Sequence, residues 1–254
     1  MRKVPELTAY FWITKVLTTA MGEATSDYLV KQFPPVVAVA LGFIALVLAL
    51  ALQFRARRYV AWIYWLAVAM VAVFGTMAAD VLHIQFGVPY DVSTPFFAIV
   101  LAGVFVTWYA SEKTLSIHSI DNPRREGFYW ATVIATFALG TALGDMTATT
   151  LHLGYLVSGV MFAGLIALPA LAYRFLGMNE IFAFWFAYVV TRPLGASFAD
   201  WMSKSHRVGG LAWGDGTVSL AFTVVIVGFV GYLTITRRDV RGDDPASPAP
   251  AATP

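Results

Sequence analysis

Cysteine is missing from all 254 residues, which excludes disulfides and thiolate metal sites. Charge is scarce too: Asp, Glu, Lys and Arg make up 13% of the chain, about half the share of a soluble domain. A net charge of +2 is too small to imply nucleic-acid binding, so no nucleic-acid partner is expected. There is no glycine-rich phosphate loop, nucleophile elbow or His-Glu-x-x-His, so no catalytic residue is assigned and an enzyme is not expected. Of the histidines, His83, His152 and His206 follow apolar segments and His118 lies in a loop. None faces another mid-segment, as a transmembrane haem requires, and no cofactor is implied. A cleavable leader is not expected either, because Lys15 and Glu23 interrupt the first apolar stretch.

Apolar side chains are what the sequence has in quantity, at 59%. Stretches long enough to cross roughly 30 Å of hydrocarbon run over about 7–28, 35–53, 59–80, 95–110, 127–148, 155–174, 180–201 and 217–236. Pro35, Pro95 and Pro123 are each placed in or near a first helical turn, where a missing N–H costs little. The composition therefore predicts an all-α integral membrane bundle of eight transmembrane helices. A single domain over 1–240 precedes a Pro/Ala/Asp-rich tail, 241–254, expected to be disordered and cytoplasmic. Twelve basic residues fall at the N-terminus or after even-numbered segments: Arg2, Lys3, Arg55, Arg57, Arg58, Lys113, Arg124, Arg125, Arg174, Arg237, Arg238 and Arg241. Only Lys31, Lys204 and Arg207 follow odd-numbered ones, which predicts that both termini are cytoplasmic.

The odd-numbered segments share one pattern, Trp-x9-Gly-x3-small-Asp. It reads Trp12, Gly22, Ser26, Asp27; Trp65, Gly75, Ala79, Asp80; Trp130, Gly140, Gly144, Asp145; and Trp185, Gly195, Ala199, Asp200. Four such matches define an internal repeat. Each repeat is a motif helix and a plainer return helix, over about 5–56, 57–112, 122–177 and 178–240. An even number of spans per repeat makes the four repeats parallel, and motif helices inside with return helices outside is the simplest packing.

On a helix the motif's Gly, small residue and Asp share one arc of about 140° with Lys15, Glu23 and Arg192. The opposite face carries Leu17, Met21, Met70, Phe74, Ala135, Leu139, Val190 and Leu194, so the polar arc is expected to face inward. Gly and its small partner form the close-packing pattern of membrane helices. The Trp reads as either an interfacial anchor or a core residue. The aspartates fall near the outer end of each span, where they face water or form a ring around an outer vestibule, as in cation pathways.

Symmetry breaks deeper. Lys15 corresponds to Val68, Val133 and Tyr188; Glu23 to Thr76, Thr141 and Ala196; Arg192 to Thr19, Ala72 and Phe137. Charges at this depth call for partners. The preferred pair is Glu23 with Arg192, with Lys15 on an Asp or on backbone carbonyls. That pair is either a structural lock between the first and seventh helices or a charged gate. Five acids against two bases within the spans favour a cation.

These features resemble a bacterial membrane-protein family built of four tandem two-helix repeats, the domain-of-unknown-function 347 repeat type. The match is carried by Ala61-Trp62-Ile63-Tyr64-Trp65 to Asp80, by Gly140-Thr141-Ala142-Leu143-Gly144-Asp145, and by Thr191-Arg192-Pro193-Leu194-Gly195-Ala196-Ser197-Phe198-Ala199-Asp200. The resemblance implies four repeats and eight helices in a bacterial inner membrane, but no substrate. The residues lead to a cation transporter or channel, proton-coupled if a transporter. Asp27, Asp80, Asp145, Asp200 and Glu23 would hold the ion, and Lys15 and Arg192 would gate it. Oxygen donors without thiols suit a hard divalent ion such as Mg²⁺ or Mn²⁺ as substrate, with the four aspartates as its ligands. Two alternatives stay open: an enzyme or binder of a lipid or quinone built on Lys15 and Glu23, and a structural or assembly protein. A homo-oligomer is compatible with each.

Overall fold

The computed structural model describes residues 3–240; the tail from Arg241, and Arg2 of the basic set, lie outside the described residues. Among the described residues there are eight long helices and no strand. They are α1 (Ala9–Gln32), α2 (Pro35–Arg55), α3 (Ala61–Asp80), α4 (Tyr90–Glu112), α5 (Pro123–Asp145), α6 (Tyr155–Leu176), α7 (Glu180–Ser203) and α8 (Asp215–Thr236). Seven of them are long and apolar enough to cross a membrane. The exception is α1, which matches them in length but carries Lys15, Glu23, Asp27 and Lys31.

Local chemistry sets the boundaries. Thr8, Asn122 and Asn179 accept hydrogen bonds from the first-turn amides of Phe11, Arg125 and Ile181, capping α1, α5 and α7. Pro35 and Pro123 open their helices, but Pro95 does not. The expected start at residue 95 is corrected to Tyr90, which leaves Pro95 inside α4. So near the N-terminus the ring removes only one helical hydrogen bond, and the helix continues through it.

The four motif helices form a closed ring in the order α1, α3, α5, α7, with α7 packed back on α1. Each return helix lies mainly against the motif helix of the following repeat: α2 on α3, α4 on α5, α6 on α7, and α8 on α1. The apolar stripe opposite the polar arc therefore meets protein. Ala135 and Leu139 pack with Phe97 and Leu101 of α4, Val190 and Leu194 with Phe162 of α6, and Met21 with Ile226 of α8. The outer surfaces of α2, α4, α6 and α8 expose Val36, Ile99, Val160, Leu220 and Ile235.

The repeat glycines close the ring. Gly22 lies against Ala72, Gly75 against Phe137, Gly140 against Arg192 and Gly195 against Thr19. In each case the neighbour stands seven residues after the Trp of the next repeat. A Cβ at Gly75 would come within 2.7 Å of Phe137 Cβ, so the helices approach this closely only where a side chain is missing. Each motif helix thus grips the next by one rule, and the last grips the first.

Candidate functional site

Five layers follow from the ring, three or four residues and so about 5–6 Å apart along the axis. The first is aromatic. Trp65, Trp130 and Trp185 are buried, and every repeat Trp is preceded by an aromatic residue: Phe11, Tyr64, Tyr129 or Phe184. The pairs make the same edge-on contact, with centroids 5.2, 5.2, 5.3 and 5.0 Å apart. Tyr64 and Tyr129 join their hydroxyls at 2.5 Å in the same layer. Trp65, Trp130 and Trp185 are core and Trp12 packs half-buried against them, and the aromatic neighbour that completes this end was legible in the dipeptides but passed over.

Above the tryptophans lies Lys15, 1% exposed, with its Nζ 4.1 Å from the ring centre of Phe137 and 4.3 Å from that of Tyr188. It has no hydrogen-bond partner among the described residues. The expected bond to an aspartate or carbonyl is therefore corrected: cation–π contact takes its place. Nor do Lys15 and Glu23 meet as a pair, because Glu23 is held elsewhere.

Arg192 occupies the centre of the next layers, fully buried. Its Nη2 lies 2.5 Å from Glu23 Oε2, 2.5 Å from Thr76 Oγ1 and 2.6 Å from Thr141 Oγ1. Glu23, Thr76 and Thr141 stand at one equivalent position, eleven residues after the Trp, in repeats 1, 2 and 3. One guanidinium from repeat 4 thus ties the other three repeats together across the axis. Ala196, the fourth member of that set, is on the Arg192 helix itself and leaves room. Pro193 continues inside α7 beside it.

The repeat aspartates form the last layer. Asp200 is 3% exposed and Asp27, Asp80 and Asp145 are half-buried. Carboxylate oxygens of Glu23, Asp145 and Asp200 all lie within 4.8 Å of one another. Asp27 pairs with Lys204, whose Nζ also lies 3.3 Å from Asp200 Oδ1. Lys204 was missed by sequence reading, although its spacing of four residues from Asp200 puts both on one face. In repeats 2 and 3 the helix widens just past the aspartate into one π turn, Val81–Gln85 and Met146–Thr150. Such turns interrupt the regular ladder and are frequent at functional sites. The remaining histidines stay apart: His83 bonds Val88 O and stacks on Tyr90, and His152 is exposed.

Most hydroxyls on these helices bond back to their own turns, as Thr18 does to Lys15 O and Thr136 to Val133 O. Thr76 and Thr141 do so as well, while also accepting from Arg192.

The arrangement defines a class: a four-repeat helical bundle with membrane-length apolar helices, one end closed by aromatics and the other lined by acids. The sequence pattern described as Repeat of Unknown Function (DUF347) matches residues 10–59, 63–114, 128–178 and 183–239, and the chain belongs to that family. No curated protein and no solved structure matches it.

Proposed function

We propose that this protein is a membrane transporter or channel for a hard cation, with the acid layer as its ion site. All eight helices span, α1 among them because its mid-helix charges Lys15 and Glu23 are buried inside the ring, and the basic-residue bias supports cytoplasmic termini in a bacterial inner membrane. The acid end then faces outward and the aromatic end inward.

The observation that carries the reading is the approach of Glu23, Asp145 and Asp200 to within 4.8 Å. Three carboxylates at that distance repel unless positive charge is shared among them. Oxygens bound to Mg²⁺ at about 2.1 Å, or to Ca²⁺ at about 2.4 Å, stand roughly 3–5 Å apart, so the spacing suits a hard ion. Asp27 and Asp80 supply further oxygens at the mouth. Below the site Arg192 presents a fixed positive charge on the axis, and inward passage requires its bond to Glu23 to open. The buried Lys15 and the tryptophan layer close the route beneath.

Flux into proteoliposomes of Mg²⁺, Mn²⁺, Na⁺, K⁺ and H⁺ tests this. Asp145→Asn and Asp200→Asn are expected to cut the flux at least tenfold, since each removes one ligand charge. A wild-type protein that moves none of the five ions ends the proposal. A lipid or quinone retained through purification and released by Lys15→Met would replace it.

A further inference from the structure

Lys204 is the first residue after α7, and its chain turns back over the acid end. Leu211 N donates to Trp201 O at 2.7 Å, Ala212 N to Lys204 O at 2.8 Å and Trp213 N to Met202 O at 3.0 Å. These bonds tie the segment 204–214 down as a strap. Gly210 is needed there, because a Cβ would stand 2.6 Å from the carbonyl carbon of Lys204. The strap holds the Lys204 ammonium on Asp27 and beside Asp200, two of the four repeat aspartates.

The corresponding positions, four residues past each aspartate, are Lys31, Ile84 and Thr149. Lys31 provides an internal comparison. It is also basic, yet it turns away to Asp215, with its side chain 55% exposed against 24% for Lys204. Two lysines at the same place in the repeat have been put to different uses.

We propose that Lys204 is a tethered competitor in the cation site, which a divalent ion displaces and a monovalent ion does not. The inference rests on the cation reading above and names its substrate class. A tethered group acts at an effective concentration on the order of millimolar, so a free ion must outbid it. A monovalent ion brings no more charge to the carboxylates than the ammonium already there. A divalent ion brings twice the charge, and the Coulomb term doubles with it. Displacement also frees Asp27 and Asp200 as ligands beside Glu23 and Asp145.

The test is calorimetric titration of the purified full-length protein in detergent with Mn²⁺ and, separately, Na⁺. Lys204→Met is expected to bind Mn²⁺ about tenfold more tightly or better and to gain Na⁺ binding. Lys31→Met should keep the wild-type affinities. Unchanged or weaker Mn²⁺ binding by Lys204→Met overturns the competitor, while Mn²⁺ binding abolished by Asp145→Asn would still support the site. If neither wild type nor Lys204→Met binds either ion, the cation reading itself has failed, and the competitor with it. A measurement on the wild type guards against a variant that does not fold. Saturating Mn²⁺ should speed hydrogen exchange at the amides of Leu211, Ala212 and Trp213, and unchanged exchange there counts against displacement.

Discussion

The two ends of the same four helices are built of opposite materials. At the Trp end, four aromatic–Trp pairs repeat one edge-on geometry and fill the axis. At the Asp end, four carboxylates and Glu23 leave the axis polar. Both end layers keep their residue type in all four repeats. The layers between them do not: Lys15, Arg192 and Glu23 occur once each. An aromatic layer can be symmetric because identical rings pack with one another. Four identical charges on one axis cannot, so cations have to come from single repeats, and Arg192 and Lys204 supply them. The difference between the ends is one of solvation, and the broken symmetry is its electrostatic consequence.

The sharpest way to break that contrast is to remove the ion at its boundary. Arg192→Met strands the Glu23 carboxylate and leaves the Thr76 and Thr141 hydroxyls without their shared donor. Losing one partner of a buried pair costs about 3–5 kcal/mol, and thermal unfolding in detergent should show a drop of that size. Arg192→Lys should recover only part, since the shorter side chain holds its ammonium short of the point where Nη2 meets the three acceptors. Full stability in Arg192→Met means that the pair does not hold the ring together.

A smaller effect separates the ring from the shell around it. Gly195→Ala sets a methyl against Thr19 of α1 and should cost about 1–3 kcal/mol through overpacking. Gly103→Ala, on the return helix α4, meets nothing within 4 Å and should stay within about 0.5 kcal/mol of wild type. Equal effects of the two would show that the glycine contacts do not set the spacing of the motif helices.

Much of this was legible in the sequence. The fixed offsets of Trp, Gly and Asp announce four equivalent helices, and the inward arc follows from the helical period alone. The Glu23–Arg192 approach was readable too, because two unlike charges at neighbouring depths have few other partners. What escaped reading was pairing across repeats. That α2 packs on α3 rather than on α1 depends on which neighbour the apolar stripe meets, and no periodicity within one helix encodes it. The Arg192 contacts to Thr76 and Thr141 escaped for the same reason: threonine bonds its own turn so often that a second partner leaves no local mark. Lys204 was passed over because it reads as a loop residue just past the helix, although its four-residue spacing from Asp200 was a local mark of the contact. The start of α4 was misplaced because Pro95 signals a helix opening more often than an interior position.

Lys15 is the remaining test of the contrast, and its effect runs the other way. It sits where the aromatic end meets the charged layers, with rings on two sides and Arg192 above. Among the described residues nothing accepts its protons, so the buried amine costs the fold free energy that cation–π contact only partly returns. Lys15→Met keeps the length of the stem and removes the donor. It should therefore raise stability, on the order of 1 kcal/mol, measured as a higher midpoint of unfolding. Stability tends to be given up where function needs the group. The same variant should then lose cation flux while its Mn²⁺ affinity, set by carboxylates two and three layers away, stays at the wild-type value. A variant that is more stable and still transports normally would make Lys15 a tolerated defect of the aromatic end and not part of the path.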